Sequence, residues 1–376
     1  MEILMKNIKV NELSSGTKNT MKQRLLSSVY IAMFFIILFL LGILADNVNN
    51  WSPINSLLGR QICAWILLIF LLPMIYIGCR EINNIFFKFN PLSQILITFA
   101  SAALIYAPTL IYFLKYYDYL GNSIILGETI TQFNTVTNIF AIALASAILL
   151  TIIINTILLV VYHHLTFKNW FILNLLVGVI SGFYLGTYFF LFTRGWLSLL
   201  WLMLIVFGCD SFSYFGGLLF GKHQMAKKIS PKKTWEGFAV GQVVTILVAM
   251  LILFGFSYIQ HDPNVLEQIM GVQFKHIVNG IVQEEFSTNT FKWWISMFFI
   301  TTGLSLLSVF GDLTFSWFKR KYHIKDYGTL IPGHGGILDR IDSHSVVISS
   351  YFILSFFLAL FANTVVFFTP IGAAIW

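Results

Sequence analysis

From Ser316 to Asp342 the chain reads SWFKRKYHIKDYGTLIPGHGGILDRID, and these residue types suit the handling of phosphates and a hard cation. Ser316 offers a hydroxyl, and Lys319, Arg320, Lys325 and Arg340 supply positive charge, the guanidinium fork being shaped for phosphate oxygens. Asp339 and Asp342 stand three residues apart, which on a helix puts both carboxylates on one face. Two carboxylates that close repel unless a cation lies between them. Asp312, in GDLTFSWFKR just upstream, is a third acid. No companion Cys or His pair is present, so the oxygen donors favour Mg²⁺ over zinc. Gly333, Gly335 and Gly336 around His334 permit positive φ and let backbone N–H groups approach an anion. His334 is read equally well as a phosphate donor or as the residue that holds the turn. The alternative for Asp339, Arg340 and Asp342 is a salt-bridge cluster that only caps a helix.

A second set lies earlier, in GKHQMAKKISPKKTWEG, where Lys222, Lys227, Lys228, Lys232 and Lys233 crowd around Ser230-Pro231 and are followed by Thr234 and Glu236. Such lysines are what any cytoplasmic loop of a membrane protein carries. The compact SPKKTWEG unit asks for more: Pro231 fixes the backbone, the hydroxyls of Ser230 and Thr234 can donate to phosphate oxygens, and Lys232 and Lys233 add point charges. Just before it, Asp210 lies deep in an apolar run with Ser213 and Tyr214 at i+3 and i+4 on the same helix face. A carboxylate at that depth is costly in lipid and marks a functional candidate.

The elements that must position these groups are membrane helices. Apolar residues make up 57% of the chain and charged ones 10%, with a mean hydropathy of +0.81, beyond what a soluble domain can hide from water. The fold class expected is an all-α polytopic integral membrane protein of about nine transmembrane helices with the N-terminus cytoplasmic. The spans are read as Leu25 to Ala45, Ile62 to Gly78, Ile95 to Leu114, Asn138 to Tyr162, Trp170 to Phe192, Trp196 to Phe220, Trp235 to Tyr258, Trp293 to Phe310 and Val346 to Phe368. In that orientation every one of the 23 Lys and Arg falls on the cytoplasmic side except Arg60, Lys115, Arg194, Lys275 and Lys292. The net charge of +7 then reflects topology and an anionic partner at the cytoplasmic surface, not nucleic acid.

Residues 1–24 are read as a cytoplasmic segment and span 1 as a retained helix, not a cleaved signal. Residues 25–192 hold helices 1–5, and 193–376 form the catalytic part with cytoplasmic loops 221–234 and 311–345. The loop from Ile259 to Lys292 is expected to form interfacial helices. Cys63, Cys79 and Cys209 show no CxxC spacing and read as buried free thiols.

The constrained positions of the first segment are Ser316, Lys319-Arg320, Lys325-Asp326, Gly328, His334-Gly335-Gly336, Asp339-Arg340 and Asp342. Together they resemble the signature of the phosphatidate cytidylyltransferases. Gly311-Asp312-Leu313 and Ser230 to Gly237 are similar to two further motifs of that family, and the resemblance covers the C-terminal half. It implies a nucleotidyl transfer in which phosphatidate attacks the α-phosphorus of CTP, giving CDP-diacylglycerol and pyrophosphate. It also implies Asp312, Asp339 and Asp342 at a centre of one or two Mg²⁺ ions, with Asp210 a weaker candidate, and Lys232, Lys233, Lys319, Arg320, Lys325 and Arg340 on phosphates. Ser230, Thr234, Ser316, His334, Gly335 and Gly336 would line the substrates. The implied partners are CTP, phosphatidate and membrane lipid, with a homodimer allowed. The implied place is a bacterial inner membrane, with the site facing the cytoplasm. Phe315 and Leu218 depart from the family pattern, standing where relatives often carry Glu and a basic residue. Two other readings use the same charges: a CTP-dependent polyprenol or phytol kinase, and a membrane transporter, although no inverted repeat supports the latter.

Overall fold

In a computed structural model of the chain, the residues described are 29, 33–44, 57–121, 126–162, 165–191, 196–260, 275–278, 281–284, 291–330 and 335–361. They form α1 (Met33–Leu44), α2 (Leu57–Phe87), α3 (Pro91–Gly121), α4 (Leu126–Val161), α5 (Phe167–Phe189) and α6 (Trp196–Phe220). The antiparallel pair β1 (Gln224–Ala226) and β2 (Ser230–Thr234) follows, then α7 (Trp235–Gln260), a second pair β3 (Lys275–Val278) and β4 (Ile281–Glu284), α8 (Phe291–Lys321) and α9 (Leu338–Phe361).

Among the described residues, the seven helices α2 to α8 each hold an apolar stretch long enough to cross a membrane. The described part of α1 is shorter, and α9 opens with Asp339, Arg340 and Asp342 ahead of its apolar run. Large apolar side chains such as Ile69, Ile95, Ile142, Phe171, Leu251 and Phe299 are exposed on the outer faces, where lipid rather than water is the compatible solvent. The chain is thus a polytopic helical membrane protein.

Two expectations change. Between α7 and α8, residues 275–278 and 281–284 form the hairpin β3–β4, with Lys275 opposite Glu284 and Val278 opposite Ile281, where interfacial helices were expected; for residues 261–274 and 285–290 that expectation lies outside the described residues. Ile277, Val278, Ile281 and Val282 are β-branched, which favours the extended pairing. Helix α8 also continues past the expected end at Phe310 to Lys321, so Asp312, Ser316, Lys319 and Arg320 ride on one rigid helix, not on a loop.

Three contacts set the site. Helices α6 and α7 meet almost backbone to backbone, because a Cβ on Gly241 would lie 1.9 Å from Ser213 Oγ and one on Gly237 would lie 2.6 Å from the Ser213 carbonyl. Helix α7 is tied to α8 by Gln242, whose Nε2 donates to the Ser305 carbonyl at 3.2 Å and whose Oε1 accepts from Ser305 Oγ at 2.5 Å. Helix α9 packs against α5 and α8, and Ser349 Oγ donates to the Val179 carbonyl at 2.7 Å. The end of α8 is then braced from the N-terminal half: Tyr322 donates to Asn169 Oδ1 at 3.0 Å, and its ring meets Phe86 edge-on at 5.2 Å.

Candidate active site

The hairpin β1–β2 closes over the ends of α6, α7 and α8. It is held from below by Glu236, whose carboxylate accepts from the amides of Lys222 and His223 at 3.1 Å each and pairs with His223 Nδ1 at 2.5 Å. Thr234 Oγ1 accepts from the Gly237 amide at 3.2 Å, capping α7. Arg320 Nε of α8 donates to the Ile229 carbonyl at 3.3 Å, fixing the tip of the hairpin to the neighbouring helix. SPKKTWEG is therefore a strand running straight into a helix, which explains its compactness.

Beneath this hairpin is a cavity of about 620 Å³ lined by Asp210, Ser213 and Tyr214 from α6, by Ser230, Lys232, Lys233 and Thr234 from β2, and by Asp312 from α8. Its apolar wall comes from Leu218, Met225, Phe238 and Val309. Asp210 opens onto the cavity. Lys233 Nζ pairs with Asp312 Oδ2, and Ser316 Oγ donates to Asp312 Oδ1 at 3.2 Å. Residues from the two separate motifs and from the intramembrane acid thus share one chamber of a size suited to a nucleotide.

The second half of the arrangement surrounds Asp339. Although Asp339 and Asp342 sit on adjacent turns of α9, their carboxylates have different surroundings. Asp339 Oδ1 pairs with Lys319 Nζ at 2.9 Å, and Oδ2 accepts from the amides of Tyr327 at 2.8 Å and Gly336 at 2.9 Å. Only 4% of its side chain is exposed, and both its oxygens are engaged within the protein. Asp342 instead feels Asp312 and Asp210. Burial first, then the charge of Asp312, pushes the Asp342 carboxyl up to about 7, against the pull of the Ser343 amide and of Lys319. Tyr327 is buried, and burial followed by the charges of Asp339 and Asp342 raises its phenol above the ordinary range; its hydroxyl donates to the Phe315 carbonyl at 3.0 Å. Phe315, the departure noted above, is itself buried and packs edge-on against Tyr327, so the position serves the core.

Lys232, Lys325 and Arg340 are exposed. Gly335 adopts φ +87°, open to glycine alone without strain, and a Cβ there would lie 2.9 Å from Asp339 Oδ2. Gly333 and His334 lie outside the described residues. Among the described residues, no group of three or more His, Cys, Asp or Glu side chains is arranged to hold a metal ion by itself. Asp312, Asp339 and Asp342 are thus not gathered into one cluster: Asp339 faces Lys319 and the glycine turn, while Asp210 and Asp312 face the cavity.

One buried acid escaped the sequence reading. Glu81 of α2 is 5% exposed, and its two oxygens accept from the amides of Ile337 at 2.8 Å and Leu338 at 2.9 Å. The reading ended span 2 at Gly78, which left Glu81 as a loop residue. Had the helix been extended to Phe87, the criterion that singled out Asp210 would have singled out Glu81 as well.

Comparison with known proteins gives a consistent result. The model of the cytidylyltransferase family matches residues 21–358. The phosphatidate cytidylyltransferase of Rickettsia conorii is 33% identical over 214 residues, covering 56% of this chain and 80% of that protein. The enzyme of the same name from Haemophilus influenzae is 35% identical over 164 residues, 44% of this chain and 47% of its own length. That of Rickettsia felis is 38% identical over 151 residues, 40% and 55% respectively. The match therefore spans about half the length of the last two relatives.

Proposed function

Because the chain belongs to the cytidylyltransferase family, we propose that it transfers the cytidylyl group of CTP to phosphatidate in the membrane. An oxygen of the lipid phosphate forms a bond to the α-phosphorus of CTP, the bond from that phosphorus to the bridging oxygen of the β-phosphate breaks, and pyrophosphate leaves. The observation that carries this reading is the cavity of about 620 Å³ in which Asp210, Ser230, Lys233 and Asp312 converge at the ends of membrane helices. It is polar on one side for a triphosphate and apolar on the other for a lipid.

The chemistry asks mainly for positioning and charge neutralisation, since the lipid phosphate is already anionic near neutral pH and needs no strong base. Lys232 and Lys233, with the hydroxyls of Ser230 and Thr234, hold the nucleotide phosphates. Lys319, Arg320, Lys325 and Arg340 neutralise the lipid phosphate and the departing pyrophosphate, with Ser316, Gly335 and Gly336 beside them; His334 keeps its role as a substrate-binding candidate from the sequence. The donor set suits Mg²⁺: Asp210 and Asp312 present hard oxygens to one cavity, and the charges of Asp312 and Asp210 are felt at Asp342. Asp210 and Asp312, which line the cavity together, would hold the ion with nucleotide phosphates completing its oxygen shell and Asp342 nearby, and the ion would withdraw charge from the phosphates. Asp339, whose side chain is 4% exposed and lies off the cavity against Lys319 and two backbone amides, enters as the residue that fixes Lys319, whereas Asp312 opens onto the cavity. With the N-terminus cytoplasmic, the hairpin and the cavity face the cytoplasm of a bacterial inner membrane, where CTP is found.

The test is to incubate purified protein in detergent with phosphatidate, Mg²⁺ and CTP labelled at either the α or the γ phosphate. Label from the α position in the lipid, with pyrophosphate released, is the expected result. Label from the γ position would identify a lipid kinase, and the absence of any transfer would remove the enzymatic reading.

A further inference from the structure

The N-terminal helices carry none of the motifs singled out in the sequence, yet one of their residues grips the signature segment directly. Glu81 and Asp339 together take four backbone N–H groups: Ile337 and Leu338 donate to Glu81, Tyr327 and Gly336 to Asp339. The donors of residues 336, 337 and 338 are consecutive, so the passage from the glycine turn into α9 is clamped between two carboxylates from opposite halves of the chain. Asp339 then carries the constraint to Lys319 through its other oxygen.

The glycines record the same fit from the other side. A Cβ on Gly336 would lie 2.5 Å from Glu81 Oε1, and one on Gly328 would lie 2.6 Å from the same atom. These glycines leave room for the Glu81 carboxylate. An acid in an apolar span is costly and is kept where it has a task. Its neighbour Arg80 is exposed and lies over the Phe89 ring at 5.5 Å, turned to a different partner. The acid instead compensates the first amides of a helix, where the backbone dipole favours negative charge.

We propose that Glu81 is a positioning residue of the active site: by holding the amides of Ile337 and Leu338 it sets the start of α9, and with it Asp339, Lys319 and Asp342, in the register that transfer requires. The proposal rests on the cytidylyltransferase reading for its kinetic part, but its structural part can be measured apart from activity. It also assigns the amides of Gly336, Ile337 and Leu338 to internal acceptors, so phosphate contact at this turn falls to side chains and to other amides.

The experiment compares the full-length protein in detergent with Glu81→Gln, Glu81→Asp and Gly328→Ala, by amide hydrogen exchange and by steady-state kinetics with CTP and phosphatidate. Glu81→Gln puts an N–H₂ against one of the two amides, and Gly328→Ala pushes the carboxylate aside without changing its charge. Both are expected to speed exchange selectively in residues 326–342 by roughly tenfold or more, the effect of losing a charge-assisted hydrogen bond, while α6 and α7 exchange as before. Both should lower kcat by a similar factor with KM for CTP nearly unchanged, and Glu81→Asp should recover part of the loss. Unchanged exchange in 326–342, or faster exchange throughout the protein with kcat falling only as folded protein is lost, overturns the proposal. Absence of transfer by the native protein sinks the cytidylyltransferase reading instead, and the exchange data still decide whether Glu81 holds the turn.

Discussion

Replacing Lys319 by Met removes the charge that faces Asp339 and keeps the length of the side chain. The two are 2.9 Å apart, with 14% and 4% of their side chains exposed, so the pair is shielded from water. Breaking a buried pair by deleting one partner typically costs about 3–5 kcal/mol, because the remaining charge is left uncompensated. Here Asp339 keeps the amides of Tyr327 and Gly336, so the expected loss is smaller, about 2 kcal/mol, or a fall of a few degrees in thermal midpoint. Asp339→Asn in the native background should cost a similar amount. In the double variant the two losses should not add, with a coupling of roughly 1–2 kcal/mol, since the neutral pair has no charge left stranded. Thermal unfolding of the four proteins in one detergent, followed by intrinsic Trp fluorescence, reads the cycle. Each single variant should also lose transfer activity, while the Mg²⁺ concentration for half-maximal turnover in any residual activity stays as in the native protein. Strictly additive stabilities would refute the pairing. A raised Mg²⁺ requirement in Asp339→Asn would refute its assignment as the holder of Lys319 and return it to the metal.

Gly335→Ala should destabilise the turn by about 1–3 kcal/mol, since φ +87° disfavours an L side chain and the added methyl meets Asp339 Oδ2; an unchanged thermal midpoint would contradict this backbone geometry. Asp312→Asn should shift the Mg²⁺ dependence to higher concentration and release Lys233, and Asp210→Asn should act in the same direction through the shared cavity; titrating activity against Mg²⁺ measures both, and an unaltered curve would remove that residue from the metal site. Gly241→Val should force α6 and α7 apart, because its side chain would overlap Ser213, costing about 1–3 kcal/mol or more as overpacking does. Transfer activity per folded protein should fall with it, and native activity in that variant would show that the cavity does not depend on this helix contact.

Much of this was legible in the chain itself. Period and hydropathy located α6 from Trp196 to Phe220 to the residue, because an apolar run whose one charge is Asp210 and which ends at Gly221-Lys222 has few alternatives. The spacing of Asp339 and Asp342 correctly implied a helix, and SPKKTWEG, set apart in the sequence from an ordinary basic loop, is β2 running into α7. Side-chain direction was not legible. Two acids three apart on a helix share a face, yet Asp339 folds back onto the amides of Tyr327 and Gly336, which only the tertiary path of the turn supplies. The extension of α8 to Lys321 was also hidden, because Asp312 and the three basic residues at its end read as the close of an apolar run. The hairpin β3–β4 rests on short β-branched pairs that a helix–loop scheme passes over.

The same geometry ties the N-terminal half to the candidate site. If α1 to α5 served only to hold the catalytic helices in lipid, their contacts with the signature segment would be apolar and interchangeable. Instead Asn169 of α5 accepts from Tyr322, Phe86 of α2 packs on the same ring, and Glu81 of α2 accepts from the first amides of α9. Leaving the amides of Ile337 and Leu338 without an acceptor, away from water, would cost about 1–3 kcal/mol for each, and another apolar helix in that place could not supply it. The signature's glycines at 328 and 336 are shaped around a residue some 250 positions upstream. Protein lacking α1 to α5 is therefore expected to expose the turn and lose transfer even where α6 to α9 still insert, and native kcat in such a truncated protein would show that the glycine turn sets its own geometry.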